Sequence, residues 1–173
     1  VTDLDAMERL ADRWEAELRP GAVGYLGVTQ GVTDDGRFVS VARFESADAA
    51  ATNSARPEQD AWWQEMAKAT ADVVVHDCSR VETLFGGGKD TAGFVQVMRG
   101  HVRDAAKASA MFAHSADAER VLNAVRPDVI GEVVALHDDD DGYTDLVYFT
   151  AEADARAAEQ REMPADAQAL MQE

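Results

Sequence analysis

The sequence predicts an α+β fold built from two tandem copies of one half-domain, and three observations support this prediction. The four prolines form two pairs with the same spacing, Pro20 with Pro127 and Pro57 with Pro164. In the first pair, each proline follows an arginine and precedes a glycine by the same number of positions. An Asp-Gly step and an Ala-Asp-Ala segment then recur in the same order in both halves. An ordered series of matches of this kind indicates internal duplication.

Each copy is predicted to begin with a helix that is followed by a β-hairpin. In copy one, apolar residues at a 3,4,3,4 spacing share one helix face, and Thr2 is placed to cap the helix with Asp5 in the capping-box position. The residues on this face are Leu4, Met7, Ala11, Trp14 and Leu18. The hairpin strands are predicted over 23–30 and 37–44, and over 129–137 and 143–150 in copy two, because Asp-Gly steps favour tight turns.

A second helix and further strands complete the predicted repeat. The helices cover about 47–70 and 152–172, with an irregular start before each later proline, and strands are expected over 72–85 and 93–102. The first βαββαβ repeat then spans 1–85, a Gly-rich linker spans 86–92, and the second repeat spans 93–173. Within this chain the first repeat lacks its first strand and the second lacks its last. We therefore expect a longer native protein or strands supplied by a neighbouring chain, because open sheet edges need cover.

Composition excludes several classes of partner. With 33 acidic and 16 basic residues the net charge is −17, and no Lys/Arg cluster offsets it, so binding to nucleic acid or to an anionic membrane is not expected. No apolar run is long enough to span a membrane. The single cysteine, Cys78, cannot form an internal disulfide, which favours a cytoplasmic location.

Four segments carry a resemblance to a known group of proteins. They are Gly24-Tyr-Leu-Gly, Asp34-Asp-Gly-Arg-Phe-Val-Ser-Val-Ala-Arg-Phe-Glu-Ser, Arg56-Pro-Glu-Gln-Asp-Ala-Trp-Trp and Ala92-Gly-Phe-Val-Gln-Val-Met. With the duplicated element order, they make the chain similar to the dimeric α+β barrel superfamily, in particular to uncharacterised bacterial tandem proteins that resemble antibiotic-biosynthesis monooxygenases. The resemblance implies ferredoxin-like repeats whose two sheets pack face to face as a single-chain barrel, with helices on the outer sides.

The resemblance also implies a range of functions. Superfamily members include cofactor-free oxygenases of aromatic polyketides, haem-degrading enzymes and proteins without known chemistry. Haem degradation would require a histidine on the second helix, and residues 46–70 contain none. We therefore expect a monooxygenase that needs no cofactor and acts on a small aromatic ligand. The alternatives are a non-catalytic small-molecule-binding or stress-associated barrel and a purely structural or assembly protein. A homodimer through sheet edges or the barrel surface is compatible with each.

In such folds Asn, Trp, Tyr, Arg and His side chains bind and polarise the substrate between a sheet and its helices. The resemblance thereby suggests a pocket in the first copy, since the second helix of copy two has no aromatic residue. The candidate catalytic residues are Arg43, Asn53 and His76, and the candidate substrate-binding residues are Trp62, Trp63 and Arg80.

Each candidate also has a structural interpretation. Trp63 aligns with Leu170 in the second copy and is predicted to be a core residue. Trp62 aligns with Ala169, so its bulk is not required by the fold, although ordinary packing is an alternative to a pocket wall. Arg43 could be a strand-end charge that reaches solvent.

Three residues, His76, Cys78 and Arg80, are predicted to share one face of the 72–85 strand. His76 could serve as a proton shuttle or as a structural histidine, and Cys78 is expected to be an inert buried thiol. The acidic run 138–141 is interpreted as a solvated hairpin tip. No His, Asp or Glu set has metal-ligand spacing, so no metal site is expected.

Overall fold

The computed structural model describes residues 1–113 and 115–161 and confirms the α+β class. Contacts divide the chain into two compact units, 1–75 and 76–173, and each unit is described by itself. Within the described part of the chain, no helix combines the length and the apolar character needed to cross a membrane.

The first unit begins with a helix that widens into a π turn and then ends in a tighter 3₁₀ turn around Pro20. Helix α1 covers Leu4–Arg13 and continues into a π turn, Trp14–Leu18, and a 3₁₀ turn, Arg19–Gly21. Its N-cap is Asp3 rather than the predicted Thr2, because the Asp3 carboxylate accepts a hydrogen bond of 3.0 Å from the Ala6 N–H.

A hairpin and two short helices complete the first unit. Strands β1, Tyr25–Val32, and β2, Phe38–Phe44, form a two-stranded antiparallel sheet. The predicted single helix over 47–70 is two helices, α2 at Ala47–Ser54 and α3 at Pro57–Ala69. The break precedes Pro57 because proline lacks the N–H that would extend α2, whereas it fits the first position of α3.

The core of the first unit lies between α1 and α3. Its buried residues are Met7, Leu10, Leu18, Trp62, Met66 and Ala69. Of the predicted apolar face of α1, Met7 and Leu18 are buried, whereas Leu4 is largely exposed. The buried face of the helix is therefore shifted toward Leu10.

The described residues of the second unit form a four-stranded antiparallel sheet and three helices. Its elements are β3 at Arg80–Leu84, β4 at Phe94–His101, α4 at Ala105–Ala113, α5 at Ser115–Val125, β5 at Val129–Leu136, β6 at Gly142–Phe149 and α6 at Glu152–Glu159. The strand order is β3-β5-β6-β4. The predicted continuation of the last helix toward residue 172 lies outside the described residues.

The predicted strand over 72–85 is wrong in its first half. Residues 72–79 form no strand, and only β3 is hydrogen-bonded, through antiparallel pairing with β5. A strand that follows the helices of the first unit in sequence thus forms an edge of the sheet of the second unit. His76 and Cys78 therefore do not share a strand face with Arg80, since alternation of faces applies only to extended, paired backbone.

Replacement of Gly131 tests how closely β5 approaches the loop after β3. Gly131 lies at an irregularity in the β5–β6 register, and a Cβ there would overlap the carbonyl oxygen of Gly87. We expect Gly131→Ala to lower the free energy of unfolding by about 2 kcal/mol, because backbone must move to relieve the clash. The control is Gly31→Ala in β1, where a Cβ would meet nothing within 4 Å. Equal urea midpoints for the two variants would contradict the expectation.

Candidate functional site

Two carboxylates lie side by side on one face of the sheet of the second unit. Glu132 is on β5 and Asp145 is on β6. Glu132 pairs with Val147, and Val134 pairs with Asp145. Because paired residues and alternate residues of a strand point to the same side, both acids share a face with these two valines.

This face is the one that the helices cover. Val147 and Phe149 pack against Ala155 of α6. On α5, the Glu119 carboxylate accepts a hydrogen bond of 2.6 Å from the Phe85 N–H, directly after β3. Asp145 and Glu132 therefore lie between the sheet and its helices, among apolar side chains.

Burial changes the ionisation of both acids. It raises the pKa of Asp145 to about 6, because the charged form loses hydration. Burial also raises the pKa of Glu132 to about 7, and the charges of Asp145 and Glu119 add to the effect. Asp145 ionises first as the pH rises, and its negative charge then opposes the ionisation of Glu132. Near neutral pH Asp145 is therefore mostly ionised, whereas Glu132 still holds its proton in a large share of the molecules.

Asp145 also has an unused hydrogen-bond acceptor. Its Oδ1 atom is buried and has no hydrogen-bond partner among the residues that the structure describes, and only 8% of the residue surface is exposed. A buried carboxylate oxygen without a donor is costly in a folded protein. Such an atom is suited to accept a proton or a hydrogen bond from a bound molecule.

Of the residues predicted from the sequence, Arg80 lies on the same sheet face as the two acids. It pairs with Leu136, at the far end of β5 from Glu132. Its guanidinium lies 5.1 Å from the centre of the Phe112 ring and donates to the Ser109 Oγ at 3.2 Å. The side chain is therefore held against α4.

His76 lies in the segment before β3 and already has two polar partners. Its Nδ1 is 2.9 Å from an Asp139 oxygen, and the Arg99 guanidinium lies 3.1 Å from its Nε2. Because arginine can only donate, Nε2 is the acceptor and Nδ1 carries the proton that is donated to Asp139. This arrangement fixes the tautomer of His76.

Cys78 is expected to react slowly with alkylating agents. Burial raises the pKa of its thiol to about 11, and the negative charges of Asp138 and Asp77 contribute. At pH 7.5 we expect alkylation by iodoacetamide to be roughly 100-fold slower than for a small free thiol, because the thiolate is the reactive form. Mass spectrometry of timed samples measures the rate, and the urea-unfolded chain provides the reference. A native rate equal to the unfolded rate would contradict a protected thiol.

The other predicted site residues belong to the first unit and have separate surroundings. Asn53 is buried and accepts a 2.9 Å hydrogen bond from Arg56. Arg43 pairs with Gly27, and its buried Nε lacks a partner within the described part of the chain. Trp62 is buried and donates to the Leu10 carbonyl oxygen at 2.8 Å.

The expected burial of Trp63 is wrong, because this residue is 39% exposed. A surface groove of about 480 Å³ lies between α1 and α3 in the same unit, but Trp62 and Trp63 do not line it. Its lining is mostly charged, with Asp3, Ala6, Arg9, Leu10, Arg13, Glu65, Lys68 and Ala69.

Glu132 and Asp145 are not among the residues predicted from the sequence, although each has a recognisable pattern around it. Each is a single carboxylate in an otherwise largely apolar strand: Val129-Ile-Gly-Glu-Val-Val for one and Thr144-Asp-Leu-Val for the other. Each acid lies two positions from a valine in its strand and therefore shares a strand face with it. An acid on an apolar face is predicted to be buried rather than solvated.

Comparison with known proteins identifies a shared fold. No protein-family model matches the chain, and no curated protein matches it. Among solved structures, a "putative monooxygenase" from Lactobacillus acidophilus NCFM is similar, with a TM-score of 0.70 and 15% sequence identity. The similarity covers 99% of this chain and 82% of that chain. At this level of identity, the comparison establishes that the two chains have the same overall architecture.

Proposed function

We propose that this chain is a small-molecule oxygenase that uses Asp145 as a base between the sheet of the second unit and its helices. The observation that carries the proposal is the buried, unpartnered Oδ1 of Asp145 beside Glu132. The fold shared with the Lactobacillus protein is compatible with it. The proposal differs from the expected first-copy pocket, because Trp62 and Asn53 are already hydrogen-bonded to their own unit.

The proposed substrate is an acidic aromatic compound of the anthrone type. Ionised Asp145 removes a proton from the ring CH₂ group, and the resulting carbanion transfers one electron to O₂. The radical pair combines to a peroxide, which loses water to leave a carbonyl group. One CH₂ group and one O₂ thus give one C=O group and one H₂O, so the substrate itself supplies all the electrons.

The ionisation of the two acids suits this chemistry. A base is most effective when its pKa lies near the working pH, and the pKa of Asp145 is about 6. Glu132, with a pKa of about 7, can hold the proton and return it as water leaves. Arg80 lies on the same face but its side chain is held against α4, so the proposed mechanism does not depend on it.

Oxygen uptake with a panel of anthrones and hydroquinones tests the proposal. We expect substrate-dependent uptake whose rate rises as the pH increases through about 6, because only the ionised form of Asp145 accepts a proton. Calorimetric binding of panel members without uptake would instead support a non-catalytic binding protein. Absence of both uptake and binding would overturn the proposal.

A further inference from the structure

Two histidines and two aspartates meet at the tip of the β5–β6 hairpin. We name His76, His137, Asp139 and Asp140 the hairpin cluster. One nitrogen or oxygen atom of each side chain lies within 4.8 Å of those of the other three. His76 comes from the segment before β3, whereas the other three residues follow β5, so the fold rather than the sequence brings them together.

Two of the interatomic distances are already close to those of a metal site. His76 Nδ1 lies 2.9 Å from Asp139 Oδ1, and His137 Nδ1 lies 3.1 Å from Asp140 Oδ1. Ligand atoms bound tetrahedrally to zinc at its usual bond lengths are about 3.3 Å apart. Each His–Asp pair therefore needs little movement to bind one ion.

The surroundings hold the cluster in place. The Asp138 carboxylate accepts hydrogen bonds from the Ser79 N–H at 2.9 Å and from the Ser79 Oγ at 2.8 Å. The Asp138 N–H donates in turn to the Asp77 carbonyl oxygen at 2.8 Å. These bonds fasten the segment before β3 to the hairpin tip. The four residues of the acidic run are exposed, as expected for a solvated tip, and Asp138 in addition binds the segment before β3.

The donor groups themselves also have supporting partners. Only 3% of the His137 side chain is exposed, and its Nε2 lies 3.0 Å from the Thr144 Oγ. The Asp140 carboxylate accepts a 2.6 Å hydrogen bond from the Gly142 N–H. Contacts of this kind, from a second layer of groups, orient the ligands of known metal sites.

We propose that the hairpin cluster binds one divalent transition-metal ion, with zinc as the ion that fits best. Two imidazole nitrogens with two carboxylate oxygens favour zinc and its neighbours over calcium or magnesium, which prefer oxygen ligands alone. No metal site was expected from the sequence, because these four residues are not spaced along the chain in a metal-ligand pattern.

Binding requires two local changes. The rings of His76 and His137 are stacked, with centroids 3.9 Å apart and planes 13° apart, and they must tilt so that one ion lies in both ring planes. When Nδ1 of His76 binds the ion, the proton moves to Nε2, and Arg99 must turn away from that atom. Arg99 is exposed, so this movement is open to it.

Titration of the metal-free chain with Zn²⁺ against a chromogenic chelator tests the site. We expect one ion to bind per chain, with little competition from excess Ca²⁺, and Co²⁺ to give the visible absorption of a tetrahedral site. His76→Gln and Asp139→Asn should each weaken binding at least about tenfold, because each removes one of four ligands. Circular dichroism verifies that both variants are folded.

Two further variants make the test specific. His101 and Asp141 form an exposed pair at 3.0 Å with no second histidine beside them among the described residues, so His101→Gln should bind Zn²⁺ like the wild type. Arg99→Ala should bind roughly threefold or more tightly, because it removes a positive charge and the bond to Nε2. The proposal is overturned if no ion binds, if His101→Gln weakens binding as much as His76→Gln, or if Asp139→Asn has no effect.

Discussion

Trp62→Ala is expected to lower the free energy of unfolding by about 3–5 kcal/mol, because it empties the centre of the first core. Trp62 packs among Met7, Leu10 and Met66 and donates its indole N–H to the Leu10 carbonyl oxygen. Urea unfolding followed by circular dichroism measures the loss. Trp62→Phe should cost less than half as much, because it keeps most of the ring volume.

Trp63→Ala is the matched control for this prediction. Trp63 is the neighbouring residue of the same helix, and its ring contacts that of Trp62 edge to face at 5.0 Å. Since it is 39% exposed, we expect its removal to cost no more than about 1 kcal/mol. If Trp63→Ala is as destabilising as Trp62→Ala, the assignment of the core tryptophan is wrong.

Alignment of the two proposed copies predicted the order of helices and strands better than it predicted which of the two tryptophans is buried. Alignment of the copies suggested that Trp63 is the core residue, but its partner Leu170 lies outside the described residues. Helix α3 begins at Pro57, and its buried positions are Gln59, Trp62, Met66 and Ala69. This 3,4,3 spacing is readable in the sequence and places Trp62 on the buried face.

The hairpin turns and the helix ends near prolines were predicted well because they depend on local chemistry. The hairpins over 25–44 and 129–149 follow from their Asp-Gly steps, with boundaries within two residues of the expected ones. The segment 72–79 was predicted wrongly because Val73, Val74 and Val75 have high β propensity. These valines are exposed and have no paired strand, and propensity does not supply a hydrogen-bonding partner.

The proposed sites differ in how far the sequence could reveal them. Glu132 and Asp145 can be found as isolated acids in apolar strands, provided that the strands are predicted correctly. The hairpin cluster cannot be found in this way, since His76 and Asp139 are 63 positions apart and meet only through the pairing of β3 with β5. Contacts of this range follow from the fold and not from local spacing.

Asp145→Asn is expected to reduce oxygen uptake by a factor of roughly 10² or more, because the neutral amide cannot accept the substrate proton. The size and position of the side chain are nearly unchanged, so substrate binding should change much less than the rate. The rate also loses its dependence on pH near 6, since the group that ionises there is gone. Asp154→Asn, the same change at an exposed position of α6, should leave uptake unchanged.

Asp145→Asn should also increase the stability of the folded chain at alkaline pH. The pKa of Asp145 is about 6 in the folded chain and near its ordinary value of 3.8 in the unfolded chain. Between these values the unfolded state binds fewer protons, so wild-type stability falls as the pH rises through this window. The amide side chain of Asp145→Asn stays neutral, and the variant should therefore be more stable than the wild type by about 1–3 kcal/mol at pH 8.

At pH 4 the difference between Asp145→Asn and the wild type should nearly vanish, because the buried Asp145 is then protonated and also neutral. Urea unfolding at both pH values measures this change. A gain in stability at pH 8 together with a loss of uptake would indicate that the buried charge is kept for chemistry at the expense of stability. A variant that is less stable than the wild type at pH 8 would instead mean that the Asp145 charge has a stabilising partner in the folded chain, which would remove the basis for its role as a base.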